Sequence, residues 1–279
     1  MENTSFISGR ADVTVVTFTR NRPHLLDDTI KSVARQCCDH VAAHIILVDD
    51  CAETWRFLGK DLPDHVWPRM VPRADDETTG PRRVATLRDI GASLVKTRWM
   101  AYLDDDDEWL PNHLHTLLET AERTSAQAVH SWQQTLNRDG TPFLGRYFPW
   151  KRGIEAARAE YDRLLGLGML QEGSNVFRHR VDREEGLGHV RYVDGGEWLL
   201  DAEMARRIGF ACDFTDEDRA NMIAEDDKFV TSLVDNDIPI ACTEQATFIY
   251  RLGGFSNQFD SQGEPVMKGT SSVEEVSWR

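Results

Sequence analysis

The chain is organised around one short stretch in which an apolar run ends in four consecutive acids. Residues 99–111 read Trp-Met-Ala-Tyr-Leu-Asp-Asp-Asp-Asp-Glu-Trp-Leu-Pro. The apolar half, from Trp99 to Leu103, predicts a buried strand, and Pro111 stands where a following helix would begin. Four adjacent carboxylates repel one another, so they need a cation if they lie together in a pocket. Hard oxygen ligands of this kind suit Mg²⁺ or Mn²⁺ shared with phosphate.

A solvated acidic loop is the ordinary explanation of a charge run, but two features argue against it here. The run interrupts an apolar segment, and Trp109 and Leu110 follow it at once. Both features place the carboxylates at the C-terminal end of a buried strand. A calcium loop of the EF-hand type is excluded, because Trp109 stands where that loop needs glycine. The stretch therefore predicts a metal–phosphate site.

Composition limits the class of protein. The chain has 279 residues, 41% of them hydrophobic, and a formal net charge of −15. This length and apolar content allow one large α/β domain or two closely joined halves. The acidic balance excludes a general nucleic-acid binder, which would carry a basic stripe. It is compatible with a cation-dependent site.

The sequence contains no pattern typical of targeting or membrane insertion. No run of about 18 apolar residues is present, and the first residues lack the basic and apolar regions of a signal peptide. The five cysteines include no CxxC pair, which favours reduced thiols. We therefore expect a cytoplasmic protein without a membrane span.

The segments before the central stretch alternate between strand and helix patterns. Residues 13–18 are rich in β-branched residues and predict a first strand, and a helix with one apolar face opens at Pro23. Residues 44–48 predict a second strand, which ends in Asp49 and Asp50. Strand, helix and strand in this order imply a parallel pair with a right-handed crossover. Ligands bind beyond the carboxyl ends of such strands, so the two acidic strand ends predict one site.

The remaining patterns are less regular. The segment from Trp55 to Pro81 predicts loops around a short strand at 67–71, followed by a helix that opens at Pro81. Further helices are predicted at 111–123, 154–165, 201–208 and from 224. Strands are predicted at 98–103, 126–132, 143–148, 175–177, 190–193, 238–242 and 247–250. From Gly253 the composition turns to Gly, Ser, Gln and Glu, which predicts a mobile lid over 253–272 or a frayed tail.

Several side chains could serve a nucleotide at the predicted site. Asp50 could accept a hydrogen bond from an N–H group of the base, and Asp105 from ribose hydroxyls. The cations available for phosphate are Arg82, Arg83, Arg88 and Arg251. The ordinary interpretation of each arginine is a surface residue, and Arg88 could simply pair with Asp89 on the surface of its helix.

The acidic triplet, Glu225–Asp227, opens a predicted helix. Acids in a first turn complement the helix dipole, which is a sufficient structural explanation. The functional alternative is a carboxylate general base within hydrogen-bond reach of an acceptor hydroxyl. Neighbouring residues of a helix point about 100° apart, so we expect Asp226 to face the site and Asp227 to point elsewhere.

Taken in order along the chain, several segments together resemble the motifs of family 2 glycosyltransferases. They run over residues 12–255, and no single one is decisive. With the family pattern in parentheses, they are Val13–Pro23 (VSVIIPTYNRP), Ile45–Asp50 (IIVVDD), Arg88–Ala92 (ARNxGxxxA), Tyr102–Trp109 (FLDSDDxW), Ala224–Asp227 (xEDxD) and Tyr250-Arg251 (YR).

The resemblance implies an α/β fold of the GT-A type, with a Rossmann-like, mainly parallel central sheet flanked by helices and a smaller acceptor-binding half. Residues 1–107 would form the donor half, 108–252 the half with the acceptor site and catalytic base, and 253–279 a flexible tail or lid. The implied reaction is an inverting transfer from a nucleoside-diphosphate sugar, foremost a UDP-sugar, to a small-molecule or glycan hydroxyl. A divalent cation, Mn²⁺ or Mg²⁺, would assist it.

On the donor side, the resemblance assigns contacts with the nucleotide sugar to Phe18, Thr19, Asp50, Arg88, Asp104 and Asp105. Phe18 and Thr19 would contact the base largely through the backbone, and Asp50 would hold it. Asp105 would face the ribose.

Further roles concern the metal and the chemistry. Asp106 resembles the aspartate that coordinates the metal, and Asp226 the catalytic base. Glu225 and Arg251 would contact the acceptor or the phosphates.

The chain also departs from the family pattern. Phe18 replaces the usual proline, Arg20 the usual tyrosine and Asp89 the usual asparagine. The fourth aspartate, Asp107, leaves the register of the metal-binding motif ambiguous by one residue. In residues 140–209, where the acceptor should bind, we identify no motif of the family.

Two other functions fit parts of the pattern. A sugar-phosphate nucleotidyltransferase also uses an α/β nucleotide domain with metal-binding aspartates, but it would need a glycine-rich phosphate loop after the first strand. Residues 19–23 contain no glycine. A non-catalytic nucleotide-binding module would be favoured by loss of the metal or base carboxylate, and both candidates are present.

Overall fold

The structure, a computed structural model, describes residues 12–37, 40–59, 62–73, 80–151, 153–184, 186, 188–221, 223–254, 257–259 and 265–266. The strands are β1 (Val13–Thr19), β2 (Val41–Asp49), β3 (Val66–Val71), β4 (Trp99–Tyr102), β5 (Glu108–Trp109), β6 (Ala128–Leu136), β7 (Val176–Phe177), β8 (Arg180–Val181), β9 (Arg191–Tyr192), β10 (Trp198–Asp201), β11 (Ile240–Arg251), β12 (Gln258–Phe259) and β13 (Pro265–Val266). The helices are α1 (Pro23–Ala34), α2 (Ala52–Leu58), α3 (Pro81–Leu94), α4 (His113–Thr124), α5 (Ile154–Gly166), α6 (Ala202–Ile208), α7 (Asp216–Ala220) and α8 (Glu225–Asp235).

A nine-stranded sheet forms the centre of the protein. Its strand order is β3-β2-β1-β4-β10-β6-β11-β5, and β7 pairs with β6. The first four strands in this order are parallel to one another, as are β6 and β11, whereas β10 runs antiparallel to both β4 and β6. This single sheet crosses the boundary after Asp107 between the predicted donor and acceptor halves, so that boundary remains a functional prediction only.

Two features of the sequence explain helices α1 and α3: a proline in the first turn and small or apolar residues on the face toward the sheet. Pro23 and Pro81 stand in the first turns of α1 and α3, where the missing N–H group costs nothing. The face of α1 toward the sheet carries Leu26 and Val33, which are fully buried or nearly so. In α3, Gly91 brings the helix close to β1. Both helices therefore lie against the parallel strands whose ends form the site.

The predicted parallel strands are confirmed in the structure, but two predictions in the second half of the chain are wrong. Residues 143–148 do not form a strand. Their N–H groups bond to separate partners, Phe143 to the Thr135 carbonyl and Phe148 to the Ala157 carbonyl. The strands predicted at 238–242 and 247–250 are one strand, β11, which stays continuous through irregularities in its register beside β6.

Helices α2 and α4 also differ from the predicted bounds. The segment predicted to form loops after Trp55 partly belongs to α2, and α4 begins two residues after Pro111. The lid predicted over 253–272 falls mostly outside the described residues. Among the helices that the structure describes, none has the length and apolar character needed to span a membrane.

Candidate functional site

A cavity of about 1380 Å³ lies at the carboxyl ends of the parallel strands. Phe18 and Thr19 at the end of β1 and Asp49 at the end of β2 line one side of it. The turn after β4 and the first residues of α8 also line it. The predicted meeting of acidic strand ends at one edge of the sheet is therefore found.

Three residues of the aspartate turn, Asp104–Asp107, line the cavity, namely Asp104, Asp106 and the nearly buried Asp107. An N–H···O bond from Asp107 to Asp104 closes the turn. Asp104 and Asp106 line the cavity and are partly exposed. Asp105 is fully buried and is not part of the cavity wall. The structure therefore does not place the Asp105 carboxylate where a ribose in the cavity could contact it.

Arg22 is the cation nearest to the aspartate turn. Its guanidinium forms ion pairs with Asp105 and with Asp106, the latter at 2.6 Å. Burial lowers the pKa of Arg22, but the charges of the turn, first that of Asp105, outweigh burial and raise it. Burial also raises the pKa of Asp105 to about 7, against the effect of Arg22. Arg22 thus supplies part of the positive charge that the four carboxylates require.

At the end of β2, the structure places Asp49 in the cavity wall and leaves Asp50 exposed outside it. Asp50 has a positive φ of 45°, so the chain turns there and carries its side chain away. Asp49 receives hydrogen bonds from Arg73 and Arg83. Burial would raise the pKa of Asp49, but these hydrogen bonds outweigh it and hold the pKa below its usual range. The prediction that Asp50 holds the base has no support in this geometry.

Arg88 lies beneath the cavity, not on a helix surface. It is 2% exposed, and its guanidinium contacts Glu225 at 3.1 Å and Asp104 at 3.6 Å. The carboxylate of Asp89 instead accepts a hydrogen bond from the Phe210 N–H group. The simple surface pair of Arg88 with Asp89 is therefore wrong. Arg88 joins the aspartate turn to the acidic triplet.

The acidic triplet meets the cavity at the first turn of α8, and all three of its side chains line the wall. The expectation that Asp227 would point away from the site is wrong, because the helix presents its N-terminal end and not one side. Asp227 accepts a hydrogen bond from the Ala224 N–H group, and Asp226 accepts one from the Asp227 N–H group. Burial raises the pKa of Asp226 and raises those of Glu225 and Asp227 to about 7.

Arg251 does not reach the cavity. Its side chain pairs with Glu108 and its N–H group donates to the Asp107 carboxylate at 3.0 Å. The predicted contact of Arg251 with phosphate or acceptor therefore has no support. Its observed role is to hold β11 against the aspartate turn.

The far side of the cavity carries residues that no motif indicated. They are Gln133, Phe148, Trp150, His179, Tyr192 and Asp194. These residues are scattered over about sixty positions of the sequence and have no common spacing. Sequence patterns could not have identified them, because only the tertiary structure brings their separate segments together.

The carboxylates at the cavity fit a cation that is shared with a ligand. Among the described residues, no group of three or more histidine, cysteine or acidic side chains could hold a metal ion by itself. A cation bound through substrate phosphates needs only one or two carboxylates. The Oδ1 atom of Asp104 is buried toward Arg88, so the partial exposure of this carboxylate belongs to Oδ2, and the Asp106 carboxylate is also partly exposed at the cavity.

Solved structures resemble this fold at low sequence identity. The S. aureus TarS fragment 1–349 in complex with UDP superposes with a TM-score of 0.58 at 12% identity, covering 86% of this chain and 60% of that one. The mannosyltransferase PcManGT from Pyrobaculum calidifontis, in complex with GDP-Man and Mn²⁺, gives a TM-score of 0.53 at 13% identity, covering 86% of this chain and 56% of that one. These likenesses show that the fold is of the GT-A type.

Sequence comparison gives the family. The succinoglycan biosynthesis protein ExoO of Rhizobium meliloti is 31% identical over 130 residues, which cover 46% of this chain and 35% of ExoO. The matches span about a third to a half of the length of the curated relatives. The profile of "Glycosyl transferase family 2" matches residues 14–186, which is more than half of the chain. The chain therefore belongs to glycosyl transferase family 2.

Proposed function

We propose that the protein transfers a sugar from a nucleoside-diphosphate sugar to an acceptor hydroxyl with inversion at the anomeric carbon. One observation carries this proposal: the aspartate turn, the acidic triplet and the ends of β1 and β2 line a single cavity. This arrangement supports a cation and diphosphate site in the same cavity as a carboxylate base. Membership of the family supports the same reaction.

The donor occupies the side of the cavity at the ends of β1 and β2. Phe18 and Thr19 contact the base there, and Asp49 with its arginine partners closes the wall behind it. The complex of TarS with UDP-GlcNAc supports a UDP-sugar as the donor. Arg20 and Arg82 also line this side and supply positive charge for the diphosphate.

Asp104 and Asp106 would hold a divalent cation together with the donor phosphates. When bound, Mn²⁺ or Mg²⁺ neutralises the charge that develops on the leaving diphosphate. The complex of PcManGT with Mn²⁺ supports this expectation. Arg22 already pairs with Asp106, so it must share that carboxylate with the cation or turn toward the phosphates.

Asp226 acts as the general base. The acceptor hydroxyl gives its proton to Asp226 while its oxygen bonds to the anomeric carbon of the donor. The bond from that carbon to the diphosphate breaks, and the electron pair leaves with the diphosphate oxygen. Burial raises the pKa of Asp226, which brings the carboxylate closer to the range in which a base works at neutral pH.

Calorimetry with UDP tests the donor and cation sites. We expect UDP to bind more tightly with Mn²⁺ than without it, and Asp106→Ala to remove that gain. Asp28→Ala, which changes an exposed acid of α1, serves as the control and should behave like the parent. No binding of UDP or of other nucleoside diphosphates would refute the proposed function. A cation gain that survives in Asp106→Ala would refute the role of Asp106.

A further inference from the structure

His179 and Glu197 form a buried pair at the far side of the cavity, and the proposed transfer does not use it. His179 is 6% exposed and lines the cavity, and Glu197 is fully buried behind it. The Nδ1 atom of His179 hydrogen-bonds to Oε1 of Glu197. The same Oε1 atom accepts the Asp194 N–H group at 2.9 Å. Oε1 accepts from the backbone, and we infer that it accepts from Nδ1 of His179 as well.

This arrangement fixes the state of the His179 ring. With its proton on Nδ1, the neutral ring has a lone pair on Nε2. The structure gives Nε2 no hydrogen-bond partner among the described residues, and this atom is not among the fully buried polar atoms without partners. Burial lowers the pKa of His179 to about 3, against the charge of Asp226, so the ring stays neutral. Nε2 is therefore a hydrogen-bond acceptor presented to the cavity.

Aromatic rings stand beside His179 and form what we call the aromatic wall: Phe148, Trp150, Tyr192 and Tyr250. They hold one another in place. Trp150 meets Tyr250 edge to face at 5.1 Å, and Tyr192 stacks on Phe148 at 5.5 Å. The indole N–H group of Trp150 donates to the Tyr250 hydroxyl. A rigid aromatic surface next to polar groups matches a pyranose ring, which has an apolar C–H face and a rim of hydroxyls.

The acidic residues at this side of the cavity favour an uncharged ligand over an anionic one. Asp194, Asp226 and Asp227 all line it, whereas Lys151, itself exposed, is the one lysine or arginine among the described lining residues on this side. A carboxylate or phosphate brought here would meet like charges in a partly buried setting, where screening is weak. An uncharged ligand meets no such cost.

We propose that the His179 side of the cavity is the acceptor site, that it takes an uncharged sugar ring against the aromatic wall, and that Nε2 of His179 accepts a hydrogen bond from a hydroxyl of that ring. The inference rests on the proposed transfer, since it names the class of acceptor. Glu197 is a positioning residue, because it acts through the ring of His179.

Saturation-transfer NMR on the full chain with UDP and Mg²⁺ tests the acceptor class. The probes are methyl β-glucopyranoside and methyl β-galactopyranoside, with methyl glucuronide and glycerol 3-phosphate as anionic comparisons. We expect at least one neutral glycoside to bind and both anions to give no signal. Binding of an anion as strong as that of the neutral sugars, or no binding of either glycoside, would overturn the proposal.

Two variants test His179 itself. His179→Phe keeps an aromatic ring at this position but removes its nitrogen atoms. Glycoside binding should weaken about tenfold, as expected for one lost hydrogen bond of ordinary strength. His24→Phe, at an exposed position of α1, is the control. In ¹⁵N-histidine spectra the parent should show the proton of His179 on Nδ1. In Glu197→Gln the amide oxygen can take the place of Oε1, so the proton should stay on Nδ1 and glycoside binding should persist.

The outcomes separate this inference from the proposed function. Unchanged glycoside binding by His179→Phe would overturn the role of His179, as would a parent proton on Nε2. If His179→Phe does not fold, the role of His179 is decided by the position of the ring proton in the parent and by glycoside binding to Glu197→Gln. Calorimetry with UDP on the same samples shows whether the donor site works. A parent that binds UDP but no neutral sugar would refute the acceptor site alone.

Discussion

At the scale of single residues, the site depends on which member of each acidic run reaches the cavity. Within the aspartate turn, Asp104 and Asp106 line it with partly exposed carboxylates, Asp107 lines it but is almost fully buried, and Asp105 lies outside it. At the end of β2, Asp49 reaches it and Asp50 does not. The buried Asp105 has a structural role, because it forms an ion pair with Arg22. A one-residue change in register would therefore exchange ligand-facing and structural carboxylates.

The assignment of the base is a prediction at this scale. Asp226→Asn keeps the size of the side chain and removes the proton acceptor, so kcat should fall by about 10²–10⁴-fold. UDP binding should change little, because the donor side does not include this residue. The measurement is UDP release from the nucleotide sugar that the parent consumes, together with calorimetry.

Asp227→Asn is the matched variant, since its side chain also lines the cavity. Its carboxylate accepts the Ala224 N–H group, and the amide oxygen of asparagine can do the same. We expect a much smaller loss of kcat. A greater loss in Asp227→Asn than in Asp226→Asn would assign the base to Asp227.

A buried histidine gives a prediction about pH. His113 is fully buried, stacks on Trp109 at 4.6 Å and contacts the Thr247 hydroxyl, and burial lowers its pKa to about 3. Because the folded pKa lies below the unfolded value, the neutral ring contributes stability that is complete well above pH 6.5 and is lost as pH falls toward 3. Replacing the ring with Phe removes this dependence.

Urea unfolding of the parent and His113→Phe at pH 7.5 and 5.5 measures the effect. The parent should lose about 1.4 kcal/mol of unfolding free energy relative to the variant between these values. His24→Phe, changed at the surface, keeps His113 and should lose as much as the parent. An equal difference between parent and His113→Phe at both pH values would show that His113 titrates normally.

At the scale of elements, the close approach of α3 to β1 sets the position of the cavity wall. A Cβ atom added at Gly91 would lie 2.6 Å from Cγ1 of Val16, which is fully buried in β1. Since both α3 and β1 carry cavity residues, a shift between them would also move the donor side.

Gly91→Ala should therefore destabilise the protein. Overpacking typically costs about 1–3 kcal/mol, which exceeds the gain of up to about 1 kcal/mol from the better helix propensity of Ala. The control is Gly166→Ala at the end of α5, where a Cβ atom would meet nothing within 4 Å. Urea unfolding should show a loss for the first variant and none for the second. Equal stability of the two would mean that α3 can move freely from β1.

At the scale of the whole molecule, Arg88 connects parts of the chain that are far apart in sequence. Its guanidinium lies about 5 Å from the ring centres of Phe18 and Tyr102 and pairs with Glu225 in α8. The buried cation thus ties the parallel strands to the helix that carries the proposed base.

Arg88→Met should destabilise the fold by about 3–5 kcal/mol, because it leaves the Glu225 carboxylate buried without its partner. Adding Glu225→Gln removes that unpaired charge, so the double variant should be more stable than the sum of the single effects predicts. Denaturant unfolding of the four proteins gives the coupling energy. Additive losses would show that the two residues contribute independently.

The sequence by itself determined the α/β class, most of the elements and the edge of the sheet at which the acids meet. These features follow from local periodicity and from the rule that parallel strands present their carboxyl ends together. The aspartate turn and the acidic triplet were identified for the same reason, since each is a continuous run. The wrong strand at 143–148 shows the limit, because an apolar run with buried ends can pack without joining a sheet.

Only the tertiary structure decided which carboxylates face the cavity and which cations pair with them. Arg22 and Asp106 are 84 residues apart, and Arg88 and Glu225 are 137 apart. No local pattern encodes such pairs, since they form only where packing brings two distant charges into contact. Each charge can then be buried because the other is its partner. The aromatic wall and His179 arise in the same way, from separate strands and loops that come together only in the folded chain.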